Sequence, residues 1–198
     1  MSVRTARVLL IISAFMAGLV GCLLVIVLVT GRSNSIISPA ASIGGAFKLA
    51  DQKGRAVSEA DLSGRPYLVF FGFTNCPDVC PTTLFEMSEV FKQLGADAEK
   101  INALFVTVDP ERDTPDKLKD YLSSFDPHLL GLTGNPAAVA DMLRAYRVYA
   151  KKVPLDGGGY TMDHTALIYL MDKQGRFVAP FNLKRPPQDA AADLRRYL

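Results

Sequence analysis

The 198-residue sequence predicts an alternating α/β domain with a mixed central sheet, preceded by a separate N-terminal helix. Three observations support this prediction. Residues 8–29 contain no charged side chain. Beyond them, short apolar runs alternate with segments of helical periodicity, which is typical of a parallel sheet with right-handed crossovers. Two late apolar runs around a Gly-containing turn add an antiparallel hairpin.

The uncharged residues 8–29 predict a transmembrane anchor. As an α-helix, this segment would span about 33 Å, enough to cross the hydrocarbon core of a bilayer. Arg4 and Arg7 precede it, and only Arg32 follows closely. The positive-inside rule therefore predicts that residues 1–7 are cytoplasmic and that the remainder lies outside.

Cys22 leaves one alternative open for this segment. Leu19–Cys22 (LVGC) resembles a bacterial lipoprotein cleavage box, in which Cys22 would carry lipid. Residues 23–29 stay apolar after it, which favours an uncleaved anchor. The small and polar residues 30–43 predict a linker, and residues 44–198 the folded domain.

Charge and cysteine content narrow the class of this domain. Three of the 22 Lys and Arg residues lie within residues 1–32, which contain no acidic residue, so the rest of the chain is nearly neutral. A neutral domain gives no indication of nucleic-acid binding. Two cysteines in a compartment that permits disulfides are too few for a disulfide scaffold.

Local signals predict the elements of the domain in order. A hairpin with Gly54 at its turn comes first. Later, Thr114-Pro115 and Asn135-Pro136 each pair a capping residue with proline at a helix start. The predicted strands are residues 67–73, 103–108, 129–132, 166–171 and 177–181, and the predicted helices are 82–94, 115–125, 136–148 and 187–198. This order is that of the thioredoxin fold, with an extra strand–helix unit over about residues 129–148.

Cys76 and Cys80 stand four residues apart, between the strand 67–73 and the helix that follows it. The partial positive charge of a helix N-terminus lowers the pKa of a nearby thiol, so we expect thiolates here. Thiolate is both a nucleophile and a ligand for soft metals. From the residues alone, a structural disulfide, a redox-active pair and part of a metal site all stay open.

Topology selects His164 over His128 as the partner of these cysteines. In a thioredoxin-like sheet, strand 166–171 runs antiparallel beside strand 67–73, so it starts where the earlier strand ends. We therefore expect His164 to meet the sulfurs, and His128, before a strand that begins at the opposite pole, to be remote. Two thiolates and an imidazole suit Cu(I), whereas zinc usually takes a fourth ligand.

Residues near this cluster are assigned supporting roles. Asp109, Arg112 and Asp113 predict a salt-bridged turn at the rim. Asp163 would either orient His164 as a hydrogen-bond acceptor or cap its loop.

Four motifs together resemble the Sco/SenC family. They are CPDVCP (76–81), VDPERDTP (108–115), GLTG (131–134) and DHT (163–165), behind one N-terminal anchor, and the likeness covers about residues 46–183. The resemblance implies a membrane-anchored, thioredoxin-fold copper protein. It implies Cys76, Cys80 and His164 as ligands of copper, with Cu(II) as a second valence beside Cu(I). Asp163 and Asp78 match acidic positions near the metal.

The resemblance also implies a function. Family members help to assemble the binuclear copper centre in subunit II of cytochrome c oxidase, as copper donors, thiol reductants or both. The implied partners are this subunit, a thiol reductant of thioredoxin type and an upstream copper donor. The lack of an Arg/Ser-rich transit segment before Val8 favours the bacterial inner membrane, with the domain in the periplasm. The alternative is the mitochondrial inner membrane, facing the intermembrane space.

Three other functions would use the same cysteines. A thiol–disulfide oxidoreductase needs Cys76 and Cys80 but not His164. A peroxiredoxin-like peroxidase needs a threonine three residues before the attacking cysteine, where Phe73 stands. A redox sensor needs only the pair. Tyr160 and the glycines at 157–159 predict a mobile loop over the site.

Overall fold

This computed structural model describes residues 3–30 and 42–198, and in the first range it describes side chains for residues 12–25. The chain divides into two units, residues 1–41 and residues 42–198. Most of the predicted linker 30–43 lies outside the described residues, as do residues 1–2 of the predicted cytoplasmic segment.

The described part of the first unit is an α-helix, α1, over Val3–Thr30. Its side chains over residues 12–25 are exposed, Cys22 among them. Among the residues described with their side chains, no helix is both long and apolar enough to cross a membrane. The anchor over residues 8–29 stays a prediction.

The second unit is an α/β domain. Its strands are β1 (Lys48–Asp51), β2 (Ala56–Ser58), β3 (Tyr67–Gly72), β4 (Asn102–Thr107), β5 (Leu129–Thr133), β6 (Ala150–Pro154), β7 (Tyr160–His164), β8 (Ile168–Met171) and β9 (Phe177–Pro180). Its α-helices are α2 (Val79–Leu94), α3 (Pro115–Leu122), α4 (Pro136–Ala145) and α5 (Pro187–Arg195), with short 3-10 segments at Glu59–Leu62 and Gly95–Lys100.

Within residues 42–198, seven strands form one mixed sheet in the order β2-β1-β5-β4-β3-β8-β9. β3, β4 and β5 run parallel, as the alternation of strands and helices predicts. β8 lies antiparallel beside β3, with Ile168 opposite Phe70. This confirms the neighbour relation on which the choice of His164 depended. β6 and β7 form a second, two-stranded antiparallel sheet.

The core surrounds β3. All six β3 residues are buried, as expected for a strand covered on both faces of a sheet. α2 packs against α5, and α3 packs against β5. The predicted thioredoxin-like class is confirmed, with its N-terminal hairpin β1–β2 and its additional unit β5–α4.

The predicted caps of α3 and α4 are confirmed. The Thr114 hydroxyl accepts a hydrogen bond from the Lys117 amide at 3.3 Å, and the Asn135 side chain accepts one from the Ala138 amide at 2.8 Å. Proline follows each cap, where a missing N–H is tolerated. Both helices end before the predicted residue. Beyond α4, Arg147 adopts a φ of 57°, a left-handed conformation that stops a helix.

The structure differs from the prediction in two places near the cysteines. α2 begins at Val79 and not at residue 82, because Pro81 lies in the first turn, where no intrahelical N–H bond is needed. The hairpin β6–β7 was not predicted. His164 is therefore the last residue of a strand, and β8 begins at Ile168, two residues after the predicted start.

Candidate metal centre

The two cysteines lie where β3 gives way to α2. Cys80 is the second residue of α2 and is fully buried, whereas Cys76 lies in the preceding loop and is half-buried. The loop turns tightly, since the Cys76 amide donates to the Phe73 carbonyl at 3.2 Å. Cys76 thus precedes the helix, and only Cys80 belongs to its first turn.

The sulfurs are adjacent and both thiols are free. The Cys80 amide donates a hydrogen bond to Cys76 Sγ at 3.4 Å, which fixes the Cys76 side chain against the helix start. Burial raises the pKa of the Cys80 thiol, and a backbone hydrogen bond at Phe73 offsets only part of that effect. The expected lowering of thiol pKa by the helix N-terminus is therefore wrong for Cys80, because loss of solvent outweighs the helix.

His164 reaches the pair as the sequence predicts. Its Nε2 lies 3.9 Å from Cys80 Sγ, and its Nδ1 lies 3.1 Å from the Thr165 carbonyl oxygen. A carbonyl can only accept, so Nδ1 carries the proton and the lone pair of the neutral ring is on Nε2, facing the sulfur. The acceptor that orients the ring is thus Thr165, not Asp163.

Two aromatic side chains hold the His164 ring. The Phe73 ring meets it edge-on, with ring centroids 5.7 Å apart, and the Phe70 ring lies 6.5 Å away. Both phenylalanines are buried. The ring therefore packs on the core along one side and faces the thiols along another.

Asp113 anchors the start of the cysteine loop. Its fully buried carboxylate accepts hydrogen bonds from the Thr74 amide at 3.0 Å, the Thr74 hydroxyl at 2.6 Å and the Thr107 hydroxyl at 2.6 Å. These bonds tie the end of β4 to the residues just before Cys76. Asp113 thus has the predicted structural role of shaping the turn, but threonine donors and not the predicted salt bridge hold its carboxylate.

Asp109 and Arg112 form the predicted salt bridge of the rim. The Arg112 guanidinium also lies 5.9 Å from the centre of the Phe73 ring and 3.8 Å from that of Tyr160. The sequence did not predict that this arginine packs against an aromatic ring of the site. The available indication was Phe73, the aromatic residue directly before the cysteine loop, which was interpreted only as a core residue.

An open cleft of about 250 Å³ lies beside Cys76 and His164. Asp78 and Asp163, the two predicted acidic neighbours, line it with exposed carboxylates. Met162 also lines it and packs partly against the core. The cleft exposes Cys76 and His164 to a partner molecule while Cys80 stays covered.

His128 lies elsewhere, as predicted. Its Nδ1 is 2.6 Å from an Asp126 carboxylate oxygen, its Nε2 is 3.2 Å from Glu99, and its ring packs on Phe91. Phe91 comes eleven residues after Cys80 in α2, a distance of about 16 Å along the helix. The imidazole of His128 is used in ion pairs and takes no part in the cluster.

The donor set fits a soft metal ion. Thiolate and imidazole, which Cys76, Cys80 and His164 can supply, are the ligands that Cu(I) prefers. Within the described residues, no three His, Cys, Asp or Glu side chains are already close enough to enclose an ion. Binding would therefore require small side-chain movements that draw Cys76, Cys80 and His164 together.

Comparison with known proteins gives the family. The SCO1/SenC family profile matches residues 37–198, so the chain belongs to this family. An SCO2-like protein of Rickettsia conorii is 39% identical over 155 residues, which cover 77% of this chain and 76% of that protein. The human mitochondrial SCO2 homologue is 39% identical over 157 residues, which cover 78% and 59% of the two chains.

Solved structures agree. The structure of Bradyrhizobium japonicum ScoI with copper bound is 66% identical, with a TM-score of 0.78, covering 79% of this chain and 100% of that one. Yeast Sco1 with copper bound is 36% identical, with a TM-score of 0.72, covering 79% of this chain and 88% of that one.

Proposed function

We propose that this member of the SCO1/SenC family is a copper carrier that acts in the assembly of cytochrome c oxidase. Its cargo is one copper ion, held by the thiolates of Cys76 and Cys80 and by Nε2 of His164. The observation that carries the proposal is the position of His164, whose Nε2 lies 3.9 Å from the Cys80 sulfur.

Accessibility supports a role in transfer. Cys76 and His164 border an open cleft, so a partner's thiols or imidazoles can replace these ligands one at a time. Cys80 is buried and would be the last donor to release the ion. Copper-bound structures of relatives that are 66% and 36% identical support copper as the cargo, with Cu(I) the valence that best suits two thiolates.

The cellular setting completes the proposal. The chain would be anchored through residues 8–29 in the bacterial inner membrane, with residues 44–198 in the periplasm. A mitochondrial inner membrane is the alternative. Subunit II of cytochrome c oxidase would receive the copper, an upstream donor would supply it, and a thioredoxin-type protein would keep the cysteines reduced. Nothing about the charge of the domain favours a nucleic-acid partner.

Metal analysis of the detergent-solubilised full chain tests the copper site. With thiols reduced, we expect about one copper per chain, and almost none after oxidation to the disulfide, because a disulfide offers no thiolate. The His164→Ala variant should lose strong copper binding. His128→Ala is the matched control and should bind like the wild type. A His164→Ala variant with wild-type affinity would refute the ligand set.

A second candidate, thiol–disulfide exchange, is favoured by the adjacency of the sulfurs. The half-buried Cys76 thiolate would attack a partner disulfide, forming a mixed disulfide and releasing one partner thiolate. Cys80 would then displace the second, leaving two reduced partner thiols and an oxidised Cys76–Cys80 pair that an external dithiol must reduce. Reduction of a model disulfide by the Cys76→Ser and His164→Ala variants separates the roles, since only the first should be inactive.

A further inference from the structure

We propose that Tyr160 and Arg112 form a latch that positions His164 against the cysteines and thereby sets how long copper stays bound. This inference rests on the proposed copper site. Tyr160 and Arg112 are positioning residues, since they act on the metal only through the strand that ends in His164.

The hairpin that carries His164 needs such a hold. β6 and β7 form their own two-stranded sheet and share no ladder with the seven-stranded sheet. Four of the five β6 residues are exposed, so β6 itself buries little apolar surface, and Met162 of β7 packs only partly against the core. Polar side-chain contacts at the far end of β7 therefore help to decide where the strand, and the imidazole at its end, is placed.

Arg112 and Asp109 supply these contacts from the opposite rim. Arg112 Nη1 donates to the Tyr160 carbonyl oxygen at 2.8 Å, and its guanidinium lies 3.8 Å from the centre of the Tyr160 ring. The Tyr160 hydroxyl donates to Asp109 at 2.8 Å, and Asp109 is also ion-paired with Arg112. The carboxylate is buried, which strengthens a charge-assisted hydrogen bond.

The latch is linked to His164 along two routes. Tyr160 and His164 are the first and last residues of β7, so the strand backbone joins them over about 13 Å. Arg112 also packs over Phe73, whose ring meets the His164 ring edge-on. Closing the latch thus fixes both the strand and one wall of the imidazole pocket.

The latch is the more buried tie between the hairpin and this rim, because the Tyr160 hydroxyl ends on the buried Asp109 carboxylate. The other tie to this rim, between Lys152 and Glu111, is an ion pair of exposed side chains, and such pairs contribute little. The contacts of Tyr160 with Arg112 and Asp109 therefore hold the hairpin to this rim more strongly than the Lys152–Glu111 pair does.

The Tyr160→Phe variant tests the latch, because it keeps the stacked ring and removes only the hydroxyl that donates to Asp109. Stopped-flow transfer of copper from the full chain to a chelator should be about tenfold faster, the size expected for one hydrogen bond to a charged group. Tyr149→Phe removes a hydroxyl from a half-exposed ring beside β6. It is the matched control and should release copper at the wild-type rate.

Two further measurements separate positioning from general stability. In the metal-free chain, amide hydrogen exchange in β6–β7 should accelerate in Tyr160→Phe while exchange in β3 and β4 stays unchanged. Combining Tyr160→Phe with Asp109→Asn should give less than the product of the single effects, because the first removes and the second weakens the same hydrogen bond.

The outcomes keep the latch and the copper site distinct. Wild-type copper release together with wild-type hairpin exchange in Tyr160→Phe would overturn the latch. If the wild type bound no copper, the proposed function would fail. The exchange experiment on the metal-free chain would still decide whether Tyr160 holds the hairpin.

Discussion

Gly72 should be intolerant of even one added methyl group. It is the last residue of β3, and a Cβ built there would lie 2.7 Å from Phe105 Cε2 and 2.8 Å from Cys80 Sγ. Ordinary contacts between such atoms begin at about 3.5 Å, so the neighbours would have to retreat by nearly 1 Å. Both neighbours are fully buried and have little room to do so.

The cost of Gly72→Ala follows from this overlap. Overpacking a core by one methylene or methyl costs about 1–3 kcal/mol of unfolding free energy. For a folded unit of this size, each kcal/mol lowers Tm by about 2–4 °C, so we expect a loss of about 2–12 °C. Because one of the two clashes is with Cys80 Sγ, the sulfur should also move relative to His164, and copper affinity should fall.

Thermal unfolding of the metal-free chain and copper competition against a chelator measure the two effects. Gly157→Ala is the matched control, since a Cβ there meets no atom within 4 Å and the backbone is not left-handed. The reasoning is refuted if Gly72→Ala melts and binds copper like the control. A lower Tm with unchanged copper affinity would show that Phe105 alone absorbs the overlap.

Two other predictions concern His128 and Asp113. Burial lowers the pKa of His128, but hydrogen bonds to Asp126 and Glu99 outweigh burial and raise the pKa overall. The stabilisation of the fold by His128 should therefore be complete below about pH 6.5 and decline as the pH rises through the raised pKa. Urea unfolding of the wild type and of His128→Gln should show a difference in unfolding free energy that narrows from about pH 5.5 to about pH 8.5. A difference that widens over this range would contradict the prediction. Asp113→Ala removes the buried acceptor of three hydrogen bonds. It should lower the unfolding free energy by at least about 2 kcal/mol and make the cysteine loop more mobile. The control variant Asp116→Ala, at an exposed position, should do neither.

The sequence was most informative where apolar runs were long. The continuous run at 67–73 identified the central strand, and the late hairpin placed β8 beside it. These two elements were enough to choose His164 over His128, because sheet topology alone decides which imidazole lies at the carboxyl end of β3. The capping residues Thr114 and Asn135 likewise predicted the starts of their helices, because a cap depends only on local hydrogen bonds.

Features that depend on packing could not be predicted. β6 is exposed along four of its five residues, so it shows neither the alternation of a half-buried strand nor the continuous apolar run of a core strand. The start of α2 was predicted too late because Pro77 and Pro81 are residues that commonly interrupt helices. Cys80 is buried with its sulfur close to Gly72, a contact that exists only in three dimensions, so the direction of its pKa shift was predicted wrongly.

Cys80 and His164 are separated by 84 positions, and that separation has a consequence for biosynthesis. A nascent chain carries both thiols long before the ribosome adds the imidazole. In the folded domain the imidazole lies beside them because β7 ends at His164 and β8 pairs with β3. If the proposed site holds, capture of an ion by all three ligands requires a chain made as far as β8, and a shorter translation product would compete poorly for the cell's copper.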